Sequence, residues 1–264
     1  MDLYNYRFTN RSKRILQLAA KYNNGIILPH HLFMAACRES TGVCEEMHLY
    51  LQSQLGYDYL REFEKHSQGS VDIQIIFENA DEKRQYYRQT LINEGHLIAS
   101  ILEIDNVVNN ILTKEMKEAI IQMACVPRDM IVQLETVKKQ GDLSYQNSIR
   151  RAVYSDLTEL KRFIQAEFGD RWIMRIDQLS ASGQLPVFLA EEKGEIIGFA
   201  CFDMEKRGMF GPMGTSSRKR LSSVGKELLH RSLLDMAERG YVIAVIEQAG
   251  PIEFYEKMCG AKLI

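Results

Sequence analysis

Apolar residues recur at helical spacing along the first half of the chain. In RSKRILQLAAKY they lie close to one face of a helix. The same period is present in HLFMAACRE, GVCEEMHLYLQSQL, GHLIASILEI, NVVNNILTKEM and DMIVQLETVKK. Pro29 and Pro127 both stand where a helix should begin. The pattern predicts an all-helical region over residues 1–137.

This helical region contains a weak internal repeat. IILPHHLFMAAC at 26–37 aligns with LINEGHLIASIL at 91–102, which pairs His31 with His96 and Leu32 with Leu97. Two copies of one helical unit would bury a shared core.

The hydrophobic period changes at Ile149. The order of elements becomes strand, helices, three strands, helix, strand, helix. LPVFLAEEKGEIIGFACFDM predicts a hairpin, MFGPMGT a further strand and YVIAVIEQA a buried strand. The polar segment KKQGDLSYQNS predicts a linker. We therefore predict a multidomain chain: an all-α duplicated domain at 1–137, a linker at 138–148 and an α/β domain at 149–264.

Composition narrows the class of protein. The net charge of 264 residues is -2, with neither half strongly basic, so we expect no nucleic-acid partner. No apolar run reaches the length of a membrane span, and the N-terminus lacks the apolar core of a signal peptide. Five scattered cysteines without a CxxC pair favour a reducing cytoplasm over disulfides and predict no metal site.

One stretch, GPMGTSSRKRLSSVGKELL, has the pattern of a phosphate site. It reads as a strand end, a polar turn, three cations and the start of a helix. The N-terminus of a helix presents unpaired N–H groups and the positive end of the helix dipole. A pyrophosphate accepts hydrogen bonds from these N–H groups, and its negative charge is favoured by the dipole. The turn holds Gly225 as its glycine, where a tight phosphate loop usually needs more. An anion site, a degraded one and a merely charged helix start all remain open at this point.

The first half resembles a known module. FTNRSKRILQLAAKYNNGIILPHHLFMAACRE is similar to the amino-terminal domain of Clp-type unfoldase chaperones, over about residues 4–137. The resemblance implies a duplicated helical module that binds substrates or adaptor proteins without catalysis, hence a possible protein partner. It also implies that His31 and His96 are structural residues, packing or capping at the starts of helices. No GxxxxGK[ST] P-loop is present in the chain.

The second half resembles the GNAT acetyltransferase superfamily, through FGPMGTSSRKRLSSVGKELL and AGPIEFYEKMCGA. The acetyl-CoA loop of that family reads Arg/Gln-x-x-Gly-x-Gly/Ala. Arg220 occupies its first position and Gly225 its last, while Ser223 replaces the middle glycine and Leu221 replaces a frequent additional one. The resemblance implies a mixed sheet whose fourth and fifth strands splay apart, with acetyl-CoA in the gap as acyl donor.

The resemblance also implies a set of donor-binding residues. Backbone groups of Met213, Gly214 and Thr215 would contact the pantetheine arm. The phosphates would be surrounded by Arg220, Leu221, Ser222, Ser223, Val224, Gly225 and Lys226. Serine keeps a small side chain at position 223, so we expect weakened rather than abolished binding. Arg218 and Lys219 are candidates for the 3′-phosphate, with an exposed charged loop as the alternative.

Tyr255 in PIEFYEK matches the family tyrosine that faces the thioester sulfur, and its ordinary pKa of about 10 leaves it protonated at neutral pH. The alternative is a core tyrosine beside Phe254. Glu247, at a strand end near the splay, is a candidate base, with Asp203, Glu205 or a water-mediated route as alternatives.

We predict an acetyl-CoA-dependent N-acetyltransferase that acts by direct attack of a primary amine, on a small molecule or a protein. The alternative is a weak or inactive transferase in an adaptor that works through the helical module. The acceptor pocket falls on FGDRWIMRIDQLSASG, where Trp172, Met174 and Arg175 either recognise the acceptor or only pack.

Overall fold

The computed structural model describes residues 6–66, 71–140, 148–179, 184–219 and 223–264. The chain divides into two compact units, Met1–Pro127 and Arg128–Ile264. Each unit has its own buried core, so each is described by itself.

The first unit is helical, as the sequence predicted. Over the described residues its helices are α1 Asn10–Ala19, α2 Pro29–Arg38, α3 Val43–Leu55, α4 Leu60–Glu64, α5 Ile73–Tyr86, α6 Glu94–Ile104, α7 Asn106–Ile111 and α8 Lys114–Ile120. A π-helical turn, Ile121–Cys125, follows α8. Helix α1 packs on α2, α5 packs on α6, and α2 also contacts α6. The resemblance of this unit to the Clp amino-terminal domain stays a prediction.

The helices of the two similar segments, α2 and α6, begin in different ways. Before α6, the Asn93 side chain accepts from the His96 N–H, and the Asn93 N–H donates to Nδ1 of His96 at 3.1 Å. This is a capping box, so the structural role expected for His96 is confirmed. Before α2, Leu28 offers no side-chain cap, and Pro29 occupies the first helical turn instead. His31 is buried and packs beside His30.

A buried ion pair joins α1 to α6. The Arg11 side chain is 1% exposed and donates to Oε1 of Glu94 at 2.6 Å. Its Nε also lies 3.4 Å from Glu39, which directly follows α2. A buried guanidinium needs such partners because an unpaired charge in the interior is costly. Arg11 thus connects the loop after α2 with the first turn of α6.

The pH dependence of this unit follows from its buried histidines. Burial lowers the pKa of His96 to about 4 and also lowers the pKa of His30 and His31. The unfolded chain, with pKa values near 6.5, then binds more protons, so the stabilisation present at pH 8 is lost as the pH falls. From His96 alone we expect a loss of about 2 kcal/mol between pH 8 and pH 5, measured by urea unfolding followed by circular dichroism.

His96→Gln is the matched variant for this prediction. Glutamine at this position can accept the same capping hydrogen bond but does not titrate. We expect its stability to fall less steeply with pH than that of the native chain. Equal slopes for the two proteins would contradict the assignment of proton uptake to His96.

The second unit is built around a mixed, open sheet, and the predicted fold class is confirmed. Its strands, within the described residues, are β1 Arg128–Gln133, β2 Ser148–Arg151, β3 Val187–Glu192, β4 Glu195–Phe202, β5 Met209–Thr215, β6 Ile243–Ala249 and β7 Lys262–Leu263. Their order in the sheet is β2-β3-β4-β5-β6-β1-β7. The β5–β6 pair is parallel and the other neighbours are antiparallel.

Helices cover both faces of this sheet. They are α9 Leu134–Gln140, α10 Leu157–Phe168, α11 Ile173–Asp177, α12 Val224–Glu238 and α13 Ile252–Cys259. Phe199 of β4 packs in one core cluster with residues of α10, whereas a Cβ at the preceding Gly198 would meet Leu228 of α12. Successive strand residues point to opposite faces, so α10 and α12 lie on opposite sides of the sheet.

The start of the second unit differs from the sequence prediction. DMIVQLETVKK was interpreted as one helix, but Arg128–Gln133 is a strand that pairs with β6 and β7, and the helix begins at Leu134. The unit therefore starts at Arg128, ten residues before the predicted linker at 138–148. Residues 138–140 of that linker lie in α9, Ser148 begins β2, and 141–147 lie outside the described residues.

Candidate active site

The two central strands of the second unit part from each other. Strands β5 and β6 pair at Met209–Val245 and Phe210–Ile246, which are the register positions of this ladder. Immediately beyond, Gly211 has φ +132°, a conformation that favours glycine. Pro212 follows and carries no N–H to donate to β6. The local sequence of β5 therefore ends the pairing and opens a cleft.

Strand β6 departs at the same register through a β-bulge. Between the pairs Met130–Ile246 and Arg128–Ala249, β6 has one residue more than β1, so Glu247 and Gln248 together face Asp129. Gln248 has φ +45°, which costs a non-glycine residue about 1–2 kcal/mol. Bulges bend the strand and increase its twist. The bulge thus turns β6 away from β5 just where their ladder stops.

The cleft side of β5 carries backbone groups that the β4 ladder does not use. Ser216 N–H donates to the carbonyl of Ile197 at 2.8 Å, and Gly214 pairs with Phe199. In an antiparallel ladder the hydrogen-bonded positions alternate. The polar backbone groups of Met213 and Thr215 therefore point away from β4, toward the cleft.

Gly214 is required by packing. A Cβ at this position would lie 2.5 Å from Cζ of Phe168 and 3.1 Å from Phe199. The aromatic ring of Phe168 rests directly on the strand and also packs against Trp172. Gly214 therefore gives this strand a flat surface on the α10 side of the sheet.

Helix α12 begins beside the cleft. Gly225, its second residue, has its α-carbon turned toward Thr215 and Phe254: a Cβ there would lie 3.7 Å from Cγ2 of Thr215 and 3.8 Å from Cζ of Phe254. These are ordinary contact distances, so the protein itself does not require glycine at this position. The end of β5, the first turn of α12 and the α13 helix thus converge on one space.

Part of the predicted phosphate loop lies outside the described residues, namely Arg220, Leu221 and Ser222. Among the others, Ser223 stands just before α12 without capping it through its side chain, Val224 is buried and Lys226 is exposed.

Carboxylates from other elements of the domain contact the charged loop between β5 and α12. The Lys219 ammonium donates to Glu192 at 2.7 Å, so this candidate for a 3′-phosphate contact is paired with a carboxylate. Glu167, in the last turn of α10, accepts from the Ser216 hydroxyl and from the Ser217 N–H at 2.8 Å. Arg218 is exposed. Glu167 is a contact that the sequence interpretation did not include.

Tyr255 lies in α13 and its residue is 7% exposed. Burial raises the pKa of its hydroxyl above the ordinary value, with a smaller contribution from Cys259. Nothing in the described part of the chain hydrogen-bonds the hydroxyl. Its ring packs edge-on against Phe254, which borders the space beside Gly225. Because its pKa is raised, the Tyr255 hydroxyl keeps its proton at neutral pH.

Glu247 is engaged by an arginine that the sequence did not connect with it. Nη1 and Nη2 of Arg175, in α11, donate to its two carboxylate oxygens at 2.9 and 2.8 Å. Nη2 also lies 2.5 Å from Glu205. The Glu247 side chain is 14% exposed and that of Glu205 is 45% exposed, so Glu247 is the more enclosed partner. These carboxylates raise the pKa of Arg175, Glu247 most strongly.

Of the other candidate residues on the acceptor side, Asp203 and Trp172 have structural contacts. Asp203 accepts from the Tyr241 hydroxyl and from the Gly208 N–H in the turn between β4 and β5. Trp172 packs on Phe168 and Phe199, whereas Met174 is exposed.

The described residues contain neither a cluster of metal ligands nor a membrane-spanning helix. No group of three or more histidine, cysteine or acidic side chains is placed there to bind a metal ion. None of the helices described has both the length and the apolar character needed to cross a bilayer.

Comparison with known families matches one part of the chain. The model of the Acetyltransferase (GNAT) family matches residues 151–261. That segment includes β3 to β6 and the helices α10 to α13, together with the last residue of β2, whereas β1 and β7 lie outside it. A search of curated proteins found no match.

Solved structures resemble the chain at low identity. A GCN5-related N-acetyltransferase from Sphaerobacter thermophilus is 16% identical, with 58% of this chain and 54% of that chain covered and a TM-score of 0.44. The Escherichia coli GNAT family N-acetyltransferase YhbS, solved in complex with CoA, is 19% identical, with 38% and 61% covered and a TM-score of 0.33. A glucosamine N-acetyltransferase region of a fungal multi-domain GH3 β-N-acetylglucosaminidase is 15% identical, with 53% and 20% covered and a TM-score of 0.43. The chain thus spans less than two thirds of the length of these structures.

Proposed function

We propose that this chain, whose residues 151–261 form a GNAT-type acetyltransferase domain, transfers the acetyl group of acetyl-CoA to a primary amine by direct attack. The observation that carries the proposal is the cleft between β5 and β6, which opens beside the first turn of α12. The amine belongs to a small molecule or a protein.

The residues present fit acetyl-CoA in three respects. The backbone groups of Met213 and Thr215 that point into the cleft can pair with the amides of a pantetheine arm. The first turn of α12, with Gly225, supplies N–H groups and positive dipole for a pyrophosphate. Because residue 225 is glycine, this position adds no side chain to the space that Thr215 and Phe254 border. The proposed phosphate contacts also include Arg220, Leu221, Ser222, Ser223, Val224 and Lys226.

Bound acetyl-CoA supplies an acetyl thioester, which is reactive toward an unprotonated amine. The chain's task is then to orient the two reactants and to manage two protons. The Tyr255 hydroxyl, which burial keeps protonated, donates a proton to the leaving sulfur. The backbone N–H groups along β5 that point into the cleft stabilise negative charge on the carbonyl oxygen.

Glu247 receives the proton that the attacking amine must lose. Both of its oxygens already accept from Arg175, but a carboxylate oxygen has two lone pairs and can accept a further hydrogen bond. The guanidinium also fixes the direction of the carboxylate. We therefore propose that Glu247 accepts the amine's proton, directly or through one water, while Arg175 holds it in place.

Gly225 provides the test of donor binding. We expect native protein to bind acetyl-CoA in isothermal titration calorimetry, and Gly225→Glu to bind at least tenfold more weakly, which corresponds to about 1.4 kcal/mol. A carboxylate in the first turn repels phosphate, yet it favours the helix dipole. The variant should therefore lose affinity without losing stability.

Gly225→Ala is the matched control, because its Cβ meets only ordinary contacts at 3.7 and 3.8 Å. We expect it to retain binding within a few-fold. Absence of heat from native protein at millimolar acetyl-CoA, or equal affinity in the glutamate variant, would count against donor binding at this helix.

A further inference from the structure

Asp129 lies on β1, outside the segment that the family model matches. Its Oδ1 accepts a hydrogen bond from the Gln248 N–H at 2.8 Å. Its main-chain carbonyl accepts from the Ile264 N–H at 3.2 Å. A residue supplied from before the matched segment thus reaches the bulge of β6 at the edge of the cleft.

The N–H of a bulged residue loses its place in the ladder. The Asp129 carboxylate replaces the missing carbonyl with a charge-assisted hydrogen bond. On the other side, Nη2 of Arg171 donates to the Gln248 side chain at 3.2 Å. Gln248 keeps its left-handed conformation between these two contacts.

The bulge decides which way Glu247 points. Glu247 is one of the two residues that the bulge places opposite Asp129, and a bulge bends the strand and re-aims the side chains that it contains. With the bulge in place, Glu247 meets the Arg175 guanidinium from α11. A regular ladder at this point would give Glu247 a different backbone conformation and aim its side chain differently.

We propose that Asp129 is a positioning residue for the acceptor side of the cleft, acting through the Gln248 bulge on the Glu247–Arg175 pair. The inference rests on the proposed acetyl transfer for its kinetic readout and on geometry for its structural one. It makes β1 a functional part of the site as well as a part of the sheet.

The kinetic test uses Asp129→Ala, Asp129→Asn and Gln133→Ala in the full chain. Asparagine keeps an acceptor oxygen, and Gln133 is an exposed residue at the other end of the same strand. Transfer from acetyl-CoA is measured with n-butylamine, which must lose a proton, and with hydroxylamine, which is largely unprotonated at neutral pH. We expect Asp129→Ala to lower kcat/KM about tenfold for n-butylamine and less than twofold for hydroxylamine, at unchanged acetyl-CoA affinity.

Recovery by Asp129→Asn and native behaviour of Gln133→Ala would support the positioning role. Equal losses with both amines in Asp129→Ala would overturn it, because that result describes general loosening of the domain. So would an Asp129→Ala variant as active as Gln133→Ala.

A crystal structure of Asp129→Ala decides the inference independently of turnover. Glu247 turned away from Arg175 supports it, and an unchanged Glu247–Arg175 pair overturns it. If native protein acetylates neither amine, the proposed function fails in that assay, and the structural result still decides the role of Asp129.

Discussion

A fragment that begins at residue 149 will fail to fold, whereas one that begins at residue 128 will fold. The two differ by residues 128–148, which include β1 and α9. Among these, Met130, Val132, Leu134 and Val137 are buried at 0 to 3% exposure. The predicted boundary at 149 would thus cut through the core of the second unit.

The magnitude follows from burial. Four buried apolar side chains contribute roughly 6–12 kcal/mol at about 1.5–3 kcal/mol each. The whole stability of a domain is about 5–15 kcal/mol. Removal of β1 also leaves the edge of β6 unpaired from Ile243 to Ala249. An unpaired apolar strand edge promotes association between molecules. We therefore expect the shorter fragment to be insoluble or molten.

The two fragments are compared by soluble yield, thermal unfolding and amide dispersion in NMR. Val132→Asp in the full chain serves as a second route to the same result, because it places a charge at a buried position of β1 without shortening the chain. Gln133→Ala, on the exposed side of the strand, is its control. A cooperative thermal transition in the 149–264 fragment would show that β1 is dispensable.

Local patterns were enough to predict much of the fold. MFGPMGT was interpreted as a strand, and β5 is Met209–Thr215. PIEFYEKMCGA was interpreted as a helix, and α13 is Ile252–Cys259. In these segments the turn residues and the hydrophobic period agree with each other.

The strand β1 could not be identified because its pattern is ambiguous. Met130, Val132 and Leu134 alternate as in a strand, but Met130, Leu134 and Val137 also have the i, i+4, i+7 spacing of a helix. Pairing with β6, more than a hundred residues along the chain, decides in favour of the strand. Such non-local pairing leaves no local signal in the sequence.

Some residues of the candidate site could be identified from the sequence, and others could not. Gly225 and Tyr255 belong to short motifs, so the sequence alone indicates them as candidates. Arg175 and Glu247 are 72 positions apart, and only the folded sheet brings them together. The bulge at Gln248 is likewise invisible in sequence, because it arises from one extra residue relative to a distant partner strand.

Tyr255→Phe is expected to lower kcat for acetyl transfer by about 100-fold, since general acid catalysis contributes about 10²–10⁴-fold. Phenylalanine keeps the ring that packs on Phe254. The hydroxyl has no hydrogen-bond partner among the described residues, so its removal leaves no polar group unsatisfied. Stability and acetyl-CoA affinity should therefore stay unchanged.

Because Tyr255 acts on the leaving sulfur, the loss should be equal for n-butylamine and hydroxylamine, in contrast to the loss expected for Asp129→Ala. Burial raises the pKa of this hydroxyl, so deprotonation of Tyr255 should not lower the rate below about pH 10. Release of CoA thiol is measured for both amines from pH 6 to pH 10. Tyr154→Phe, at an exposed position of the same unit, is the control. A Tyr255→Phe variant that keeps more than half of the native rate would leave Tyr255 as a packing residue, and proton transfer to the sulfur would then have to come from solvent.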